Sequence, residues 1–364
     1  MARLGISIYP EYSTEEQDIA YIRKAGKMGY RRIFTCLLSV GEKNREEIIG
    51  QFCRLADEAH ACGMEIIPDV SPAVFSRLGT SYEDLSVFRE MHVDGIRLDE
   101  GFDGMKESLM TYNPQGLKIE LNASTQLVYV ENIMDHHPDR SKLVTCHNFY
   151  PQQYTGLSLA HFNKCNEKMK SMHLPVAAFI SSNSEGTYGP WPVNEGLCTL
   201  EMHRGLPMDF QARHLFATGM VDDVLVANAY ASDDELKACA AVNPSILTFG
   251  LVLEKELTET EQKILDYGPK HVVRGDMSEY MIRSTWPRVT FADAPVPAAN
   301  TRDLKRGDVV ILNDGYLKYK GELHIVLKDM PNDGRKNVIG HLPEYEHVLL
   351  NYVEPWKVFA FCKA

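Results

Sequence analysis

From Arg3 to Ala241, short apolar runs alternate with stretches whose apolar residues recur every three to four positions. The first pattern belongs to β-strands and the second to helices packed on one face. The runs predict strands at Arg3–Glu11, Arg31–Ser39, Met64–Ser71, Val93–Asp99, Leu117–Asn122, Lys142–Tyr150, Pro175–Asn183 and Asp222–Tyr230. Between them, helices are predicted at Thr14–Met28, Asn44–Cys62, Val74–Met91, Thr125–Asp135, Leu159–Met172, Met208–Thr218 and Asp233–Ala241. Ser13-Thr14-Glu15-Glu16 reads as a capped helix start, and Gly63 as a helix stop. A long loop, Ser184–Pro207, precedes the helix at Met208. Strands separated by helices pair in parallel through right-handed crossovers, and eight such units in this length match a (β/α)8 TIM barrel. An open doubly wound sheet is the alternative, but it usually has fewer strands, and no Gly-x-Gly-x-x-Gly follows the first strand.

After Pro244 the pattern changes. Helical period survives only near Thr258–Asp266. Short β-like runs follow at Tyr280–Ser284, Val309–Asn313, His324–Lys328, Val338–His341 and Lys357–Cys362. Turn formers separate them, including Asn313-Asp-Gly315 and Asn332-Asp-Gly334, and Phe291–Asn300 reads as an extended loop. Two domains are therefore expected: a barrel over residues 1–243 and a small all-β domain over 244–364.

Composition narrows the function classes. The chain has 364 residues, 44% apolar and 24% charged, which are globular values and not those of a disordered, collagenous or coiled-coil chain. No apolar run is long enough for a membrane helix, and the first residues read as a strand and not as a signal peptide, so a cytoplasmic location is expected. Eight cysteines lie mostly in apolar patterns with no Cys-x-x-Cys pair, which points to reduced thiols. The net charge of −12 disfavours nucleic acid. It leaves room for an anionic small molecule held by local arginines. Oligomeric state is left open, a homo-oligomer included.

Period-two alternation predicts which side chains point into the barrel. Gly5, Ser7, Tyr9 and Glu11 share one face, as do Glu65, Ile67, Asp69 and Ser71. Arg97 and Asp99, then Lys118, Glu120 and Asn122, continue the inner set. In the last strand Val224, Val226, Asn228 and Tyr230 are given the inward parity. Barrel enzymes place their chemistry at C-terminal strand ends. Asp69, Asp99 and Glu120 are accordingly the candidate catalytic carboxylates, with Arg97 and Asn122 as substrate ligands. Lys118, Glu120, Arg97 and Glu65 equally suit a buried ion-pair network. Asp69 and Asp99, taken at similar heights on adjacent strands, would stand roughly 5–6 Å apart, near a retaining glycosidase pair. Close carboxylates push one pKa up, which suits a general acid. Glu100 beside Asp99 also matches hydrolases assisted by a substrate acetamido group, although its pleat parity is opposite.

Further candidates sit in loops. Cys146-His-Asn-Phe-Tyr-Pro151 offers His147, Asn148 and Tyr150 for sugar hydrogen bonds and stacking. The long loop carries Tyr188-Gly-Pro-Trp191-Pro and then Glu201 and Arg204. Glu201 joins the substrate-binding set with Asn228, and Arg204 is the phosphate candidate, because barrels commonly bind phosphate after strands seven and eight. Arg283, in Tyr280-Met-Ile-Arg-Ser-Thr285, is the second phosphate candidate. His136-His137 lacks a third ligand at metal spacing, so no metal and no cofactor are expected.

Several of these segments resemble a known family. They are Gly95-Ile-Arg-Leu-Asp99, Leu121-Asn-Ala-Ser-Thr125, His147-Asn-Phe-Tyr-Pro151, Gly196-Leu-Cys-Thr-Leu-Glu-Met-His-Arg204, Glu279-Tyr-Met-Ile-Arg-Ser-Thr285 and Gly321-Glu-Leu-His-Ile325. In order and number they are similar to the bacterial 6-phospho-N-acetylmuramidases over essentially the whole chain. Cys198 stands where the family pattern has proline, which touches loop shape and not chemistry. The resemblance implies a (β/α)8 barrel followed by a cyclophilin-like β-domain. It also implies cytoplasmic hydrolysis of a phosphorylated disaccharide from cell-wall turnover, giving N-acetylmuramic acid 6-phosphate (MurNAc-6-phosphate) and N-acetylglucosamine (GlcNAc). It names no catalytic residue, so the site assignments rest on the strand-end reading. Competing functions are a glycosidase for another phosphorylated amino sugar, a pyridoxal-phosphate racemase and a non-catalytic carbohydrate-binding protein. The racemase needs a Schiff-base lysine near the barrel mouth, but the first strand has none and Lys118 lies deep in the fifth. The binding protein fits poorly with so many acidic strand ends.

Overall fold

A computed structural model of the chain describes residues 2–38, 44–125, 127–268 and 270–364. They divide into two units, residues 1–241 and 242–364. In the first, eight parallel strands close into a barrel in sequence order. These are β1 (Arg3–Ser7), β2 (Arg32–Cys36), β3 (Glu65–Val70), β4 (Gly95–Leu98), β5 (Lys118–Asn122), β6 (Leu143–Cys146), β7 (Val176–Ile180) and β8 (Asp223–Val226). The helices around them are α1 (Glu15–Lys27), α2 (Arg45–Ala61), α3 (Pro72–Leu78), α4 (Ser86–Glu90), α5 (Met105–Met110), α6 (Leu127–Asp135), α7 (Leu159–Ser171), α8 (Met208–Ala217) and α9 (Asp233–Ala240). Thr14, Asn44 and Ser232 each open a helix with a capping box, satisfying backbone N–H groups that the helix itself leaves unpaired.

Two helical expectations change. The stretch Val74–Met91 is two short helices, because Gly79 takes a left-handed conformation (φ 63°) and ends α3. Helix α5 follows the fourth strand where no helix was expected. The strands are shorter than their apolar runs, and Ser39, the expected end of the second, lies outside the described residues. Residues 99, 147–150, 181–183 and 227–230 leave the ladder as loops at the C-terminal rim.

Strand β8 corrects the expected parity. Asp223 and Leu225 point inward, and Val224 and Val226 therefore face the helices. Asp223 bonds to Arg3 and Arg32, and Leu225 joins Tyr9, Phe34 and Phe179 in the inner apolar cluster. Leu225 fills the space above Gly5, where an added Cβ would meet Leu225 Cδ2 at 2.3 Å. Glycine is required there by a close approach.

The second unit is a seven-stranded mixed sheet of order β10-β15-β9-β14-β12-β13-β11. Its strands are β9 (Leu247–Leu253), β10 (His271–Val272), β11 (Met281–Ser284), β12 (Asp308–Leu312), β13 (Leu323–Val326), β14 (Lys336–His341) and β15 (Val358–Lys363). Strands β9 and β15 pair in parallel and the other pairs are antiparallel. Helices α10 (Glu259–Leu265) and α11 (Trp286–Thr290) accompany the sheet, so this unit is not purely β. At the Asn313 turn the side-chain Oδ1 accepts the Gly315 N–H, linking β12 to β13. Among the described residues no helix is long and apolar enough to cross a membrane.

Candidate active site

Two layers of charge fill the barrel. In the lower layer Lys118 and Arg3 bond to Glu65, Arg3 and Arg32 bond to Asp223, and Arg32 also bonds to Glu120. Three cations meet three carboxylates, so this floor is neutral. Arg32 and Glu120 are fully buried, and a pair in that setting holds only while both partners remain. Glu120, expected among the catalytic groups, is thus placed as the counter-ion of Arg32. Lys118, the lysine that a racemase would need at the mouth, is tied into the same floor.

The upper layer is unbalanced. Arg97 Nη1 donates to Asp69 Oδ1 at 2.6 Å and to Asp99 Oδ1 at 3.3 Å, and Nη2 donates to Asn148 Oδ1. One cation therefore faces two carboxylates. Their oxygens share one nitrogen, so they lie no further apart than these two bonds laid end to end. The expectation of equal heights needs correction: Asp69 pairs in register with Arg97, which puts Asp99 one inward position higher. The difference in height shows in exposure, 9% for the Asp69 side chain against 37% for Asp99. Burial pushes the Asp69 carboxyl up to about 7; Arg97 opposes the shift and the charge of Asp99 adds to it. A carboxyl that holds its proton near neutrality and a solvated carboxylate beside it form an acid–carboxylate pair.

Two cavities meet at Asp99. The smaller, about 140 Å³, has an aromatic wall of Phe34, Phe149, Phe179 and Trp191 and a polar wall of Asp69, Arg97, Asp99 and Asn148. The larger, about 300 Å³, is lined by Asp99, Glu100, Phe102, Asn122, Thr125 and Tyr129, among others. Asn122 Oδ1 also accepts the Ser124 N–H at 2.8 Å, which fixes the turn after β5.

The loop after β6 splits the expected ligands. Asn148 faces the cavity with the parity of Cys146, and His147 faces outward. His147 Nε2 lies 2.8 Å from Asn166 Oδ1, Nδ1 lies 3.2 Å from Ser124 Oγ, and the ring packs on Phe162. Burial holds its pKa down at about 4, so the ring is neutral. His147 therefore does not line the mouth. It positions Ser124, whose Oγ accepts the Asn148 N–H at 2.8 Å. Tyr150 is half-buried; its N–H bonds to Cys198 and its carbonyl to Arg204.

Arg204 and Glu201 clamp the long loop. Arg204 Nε and Nη2 donate to the Glu201 carboxylate, Nη1 donates to the carbonyls of Glu195 and Gly196, and Nη2 donates again to Tyr150. These five bonds match the five N–H groups that arginine has, which leaves none for the expected phosphate. Glu201 also accepts the N–H groups of Tyr154 and Gly156, and with Arg204 they hold its carboxyl at about 2. Asn228 joins loop to loop through Ser182 and Thr187. Beside it the Glu235 carboxylate accepts from Ser182 Oγ, Ser184 Oγ and the Asn183 N–H at 2.6–2.9 Å. Barrels commonly bind phosphate after strands seven and eight, and here the chain's own carboxylate takes those donors. Arg283 lies in the second unit, where it bonds to the carbonyl and carboxylate of Asp276.

The structure thus brings Asp69, Arg97, Asp99 and Asn148 into one cavity, Asp99 and Asn122 into the next, and Glu201, Arg204 and Asn228 to the walls of a third of about 770 Å³. Of the aromatic wall, Phe149 and Trp191 lie in segments singled out from the sequence, and Phe34 and Phe179 do not. Phe34 and Phe179 lie in strands that read as plain core, whereas Trp191 sits in a Tyr-Gly-Pro-Trp-Pro motif that was visible.

The family described as 6-phospho-N-acetylmuramidase matches with its N-terminal part over residues 4–241 and its C-terminal part over 247–362. The crystal structure of an uncharacterized B. cereus protein is similar at 47% identity and a TM-score of 0.91, covering 100% of this chain and 99% of that one. The structure of a conserved Enterococcus faecalis protein of unknown function is similar at 27% identity and a TM-score of 0.74, covering 100% and 96%. No curated protein matches. Matched across both units, the chain belongs to the 6-phospho-N-acetylmuramidase family.

Proposed function

We propose that this protein hydrolyses the disaccharide MurNAc-6-phosphate–GlcNAc to MurNAc-6-phosphate and GlcNAc, in the cytoplasm, during cell-wall recycling. The family supports a glycosidase acting on a phosphorylated muramyl sugar. The single observation that carries the chemistry is the unbalanced pair Asp69–Asp99 on Arg97. Asp69, protonated up to about pH 7, gives its proton to the departing glycosidic oxygen. Asp99, solvated and standing between two cavities, bonds to the anomeric carbon as the glycosidic C–O bond breaks, and a water deprotonated by the Asp69 carboxylate then displaces it, releasing MurNAc-6-phosphate. The upper bound on their separation admits the roughly 5–5.5 Å of a retaining pair. The cavities on either side of Asp99 supply room for groups of both sugars.

The test is incubation of the purified protein with the 6-phosphorylated disaccharide and with its unphosphorylated twin, products read by mass spectrometry. Release of MurNAc-6-phosphate and GlcNAc from the first is expected. Binding without turnover of either would favour a carbohydrate-binding role.

A further inference from the structure

We infer that the small aromatic-walled cavity is a slot for the 2-acetamido group of the muramyl sugar and sets specificity for that acyl group; this rests on the hydrolase reading above. Size comes first. A cavity of about 140 Å³ has room for at least four water-sized groups, even at roughly 30 Å³ each. The four heavy atoms of an acetamido group fit.

Charge then selects among the small groups that this substrate carries. The candidates are the acetamido, the lactyl carboxylate and the 6-phosphate. Arg97 is the cation in the wall: Nη1 bonds Asp69 and Asp99 and Nη2 bonds Asn148, while the buried Nε–H has no partner among the described residues. An incoming anion would meet two carboxyl groups against this one guanidinium. A neutral amide meets what it needs. Asn148 Oδ1 is held by Arg97, so its amide N–H2 is the group left to donate to the acetamido carbonyl. The acetamido N–H finds a carboxylate in Asp99. The methyl finds the rings of Phe34, Phe149 and Phe179, which pack edge to face with centroids 5.0–6.0 Å apart. These rings pack against one another, so the wall does not yield easily to a longer acyl chain.

The test uses three 6-phosphorylated muramyl disaccharides that differ only on the 2-nitrogen: N-acetyl, N-butanoyl and free amine. Wild type should prefer N-acetyl over N-butanoyl in kcat/KM by about 100-fold, as a snug apolar pocket does for added methylenes. Phe149→Ala and, separately, Trp191→Ala enlarge the slot and should each shift that preference at least tenfold toward N-butanoyl. The readout is a ratio within one preparation, so partial misfolding of a variant does not move it. Equal cleavage of all three substrates by wild type, or a preference unchanged in both variants, overturns the slot. Failure of wild type to cleave any of the three overturns the hydrolase reading, and the slot with it.

Discussion

Replacing Asp69 by Asn removes a proton donor and preserves a shape. The amide oxygen still accepts from Arg97 Nη1, where the carboxylate bond is 2.6 Å, and Arg97 keeps Asp99 and Asn148. The fold should survive, because the amide is a neutral isostere of the protonated carboxyl and Arg97 keeps Asp99 as its counter-ion. The proton is what goes. A positioned general acid contributes about 10²–10⁴-fold, equivalent to about 3–5 kcal/mol at 1.36 kcal/mol per decade. The sign of the pH dependence follows from the raised pKa. The acid form is the active donor, so wild-type kcat/KM is present below pH 7 and lost as pH rises through about 7. The assay is kcat/KM against pH on two substrates, the phosphorylated disaccharide and a 6-phosphomuramyl aryl glycoside whose phenolate leaves without protonation. Asp69→Asn should lose 10²–10⁴-fold on the disaccharide, show no alkaline limb, and stay near wild type on the aryl glycoside. Equal losses on both substrates, or an alkaline limb that persists in the variant, would refute the assignment of Asp69 as proton donor.

Other substitutions separate floor from mouth. Glu120→Gln should cost about 3–5 kcal/mol of stability by leaving Arg32 short of a counter-ion; a melt shows the loss, and kcat of the folded protein should change little. Arg204→Ala should lower Tm and reduce activity on phosphorylated and unphosphorylated substrates alike, since it opens the clamp on Glu201; a loss confined to the phosphorylated substrate would restore Arg204 as a phosphate ligand. Arg283→Ala should lower Tm by removing its bonds to the carbonyl and carboxylate of Asp276, with equal effects on the two substrates; a loss of kcat/KM confined to the phosphorylated substrate would contradict that structural role.

The barrel was legible because its helices are amphipathic and its strands short and apolar, so two periods alternate eight times. Inner faces were legible where polar and apolar residues alternate, as in Glu65-Ile-Ile-Pro-Asp69 and Lys118-Ile-Glu-Leu-Asn122. They were not legible in β8, where Val224, Leu225 and Val226 are apolar on both faces and only the distant Arg3 and Arg32 reveal Asp223 as inward. A one-residue choice of parity likewise decides between His147 and Asn148. The relative height of Asp69 and Asp99 depends on register between strands, which no single strand encodes. Arg204 shows the limit for loops: its five acceptors come from residues 150, 195, 196 and 201, brought around it only by the folded path of two loops. Phe34 and Phe179 carry no sign in the sequence that their rings wall a cavity and are not simply core.

Asp99 is the residue that borders both cavities. The decisive measurement is kcat of Asp99→Asn on MurNAc-6-phosphate–GlcNAc, in protein whose melting curve matches wild type. Loss of a carboxylate acting in the transition state predicts a fall of about 10³-fold or more. Near-normal turnover by that well-folded variant would contradict a mechanism in which the Asp69–Asp99 pair cleaves the glycosidic bond.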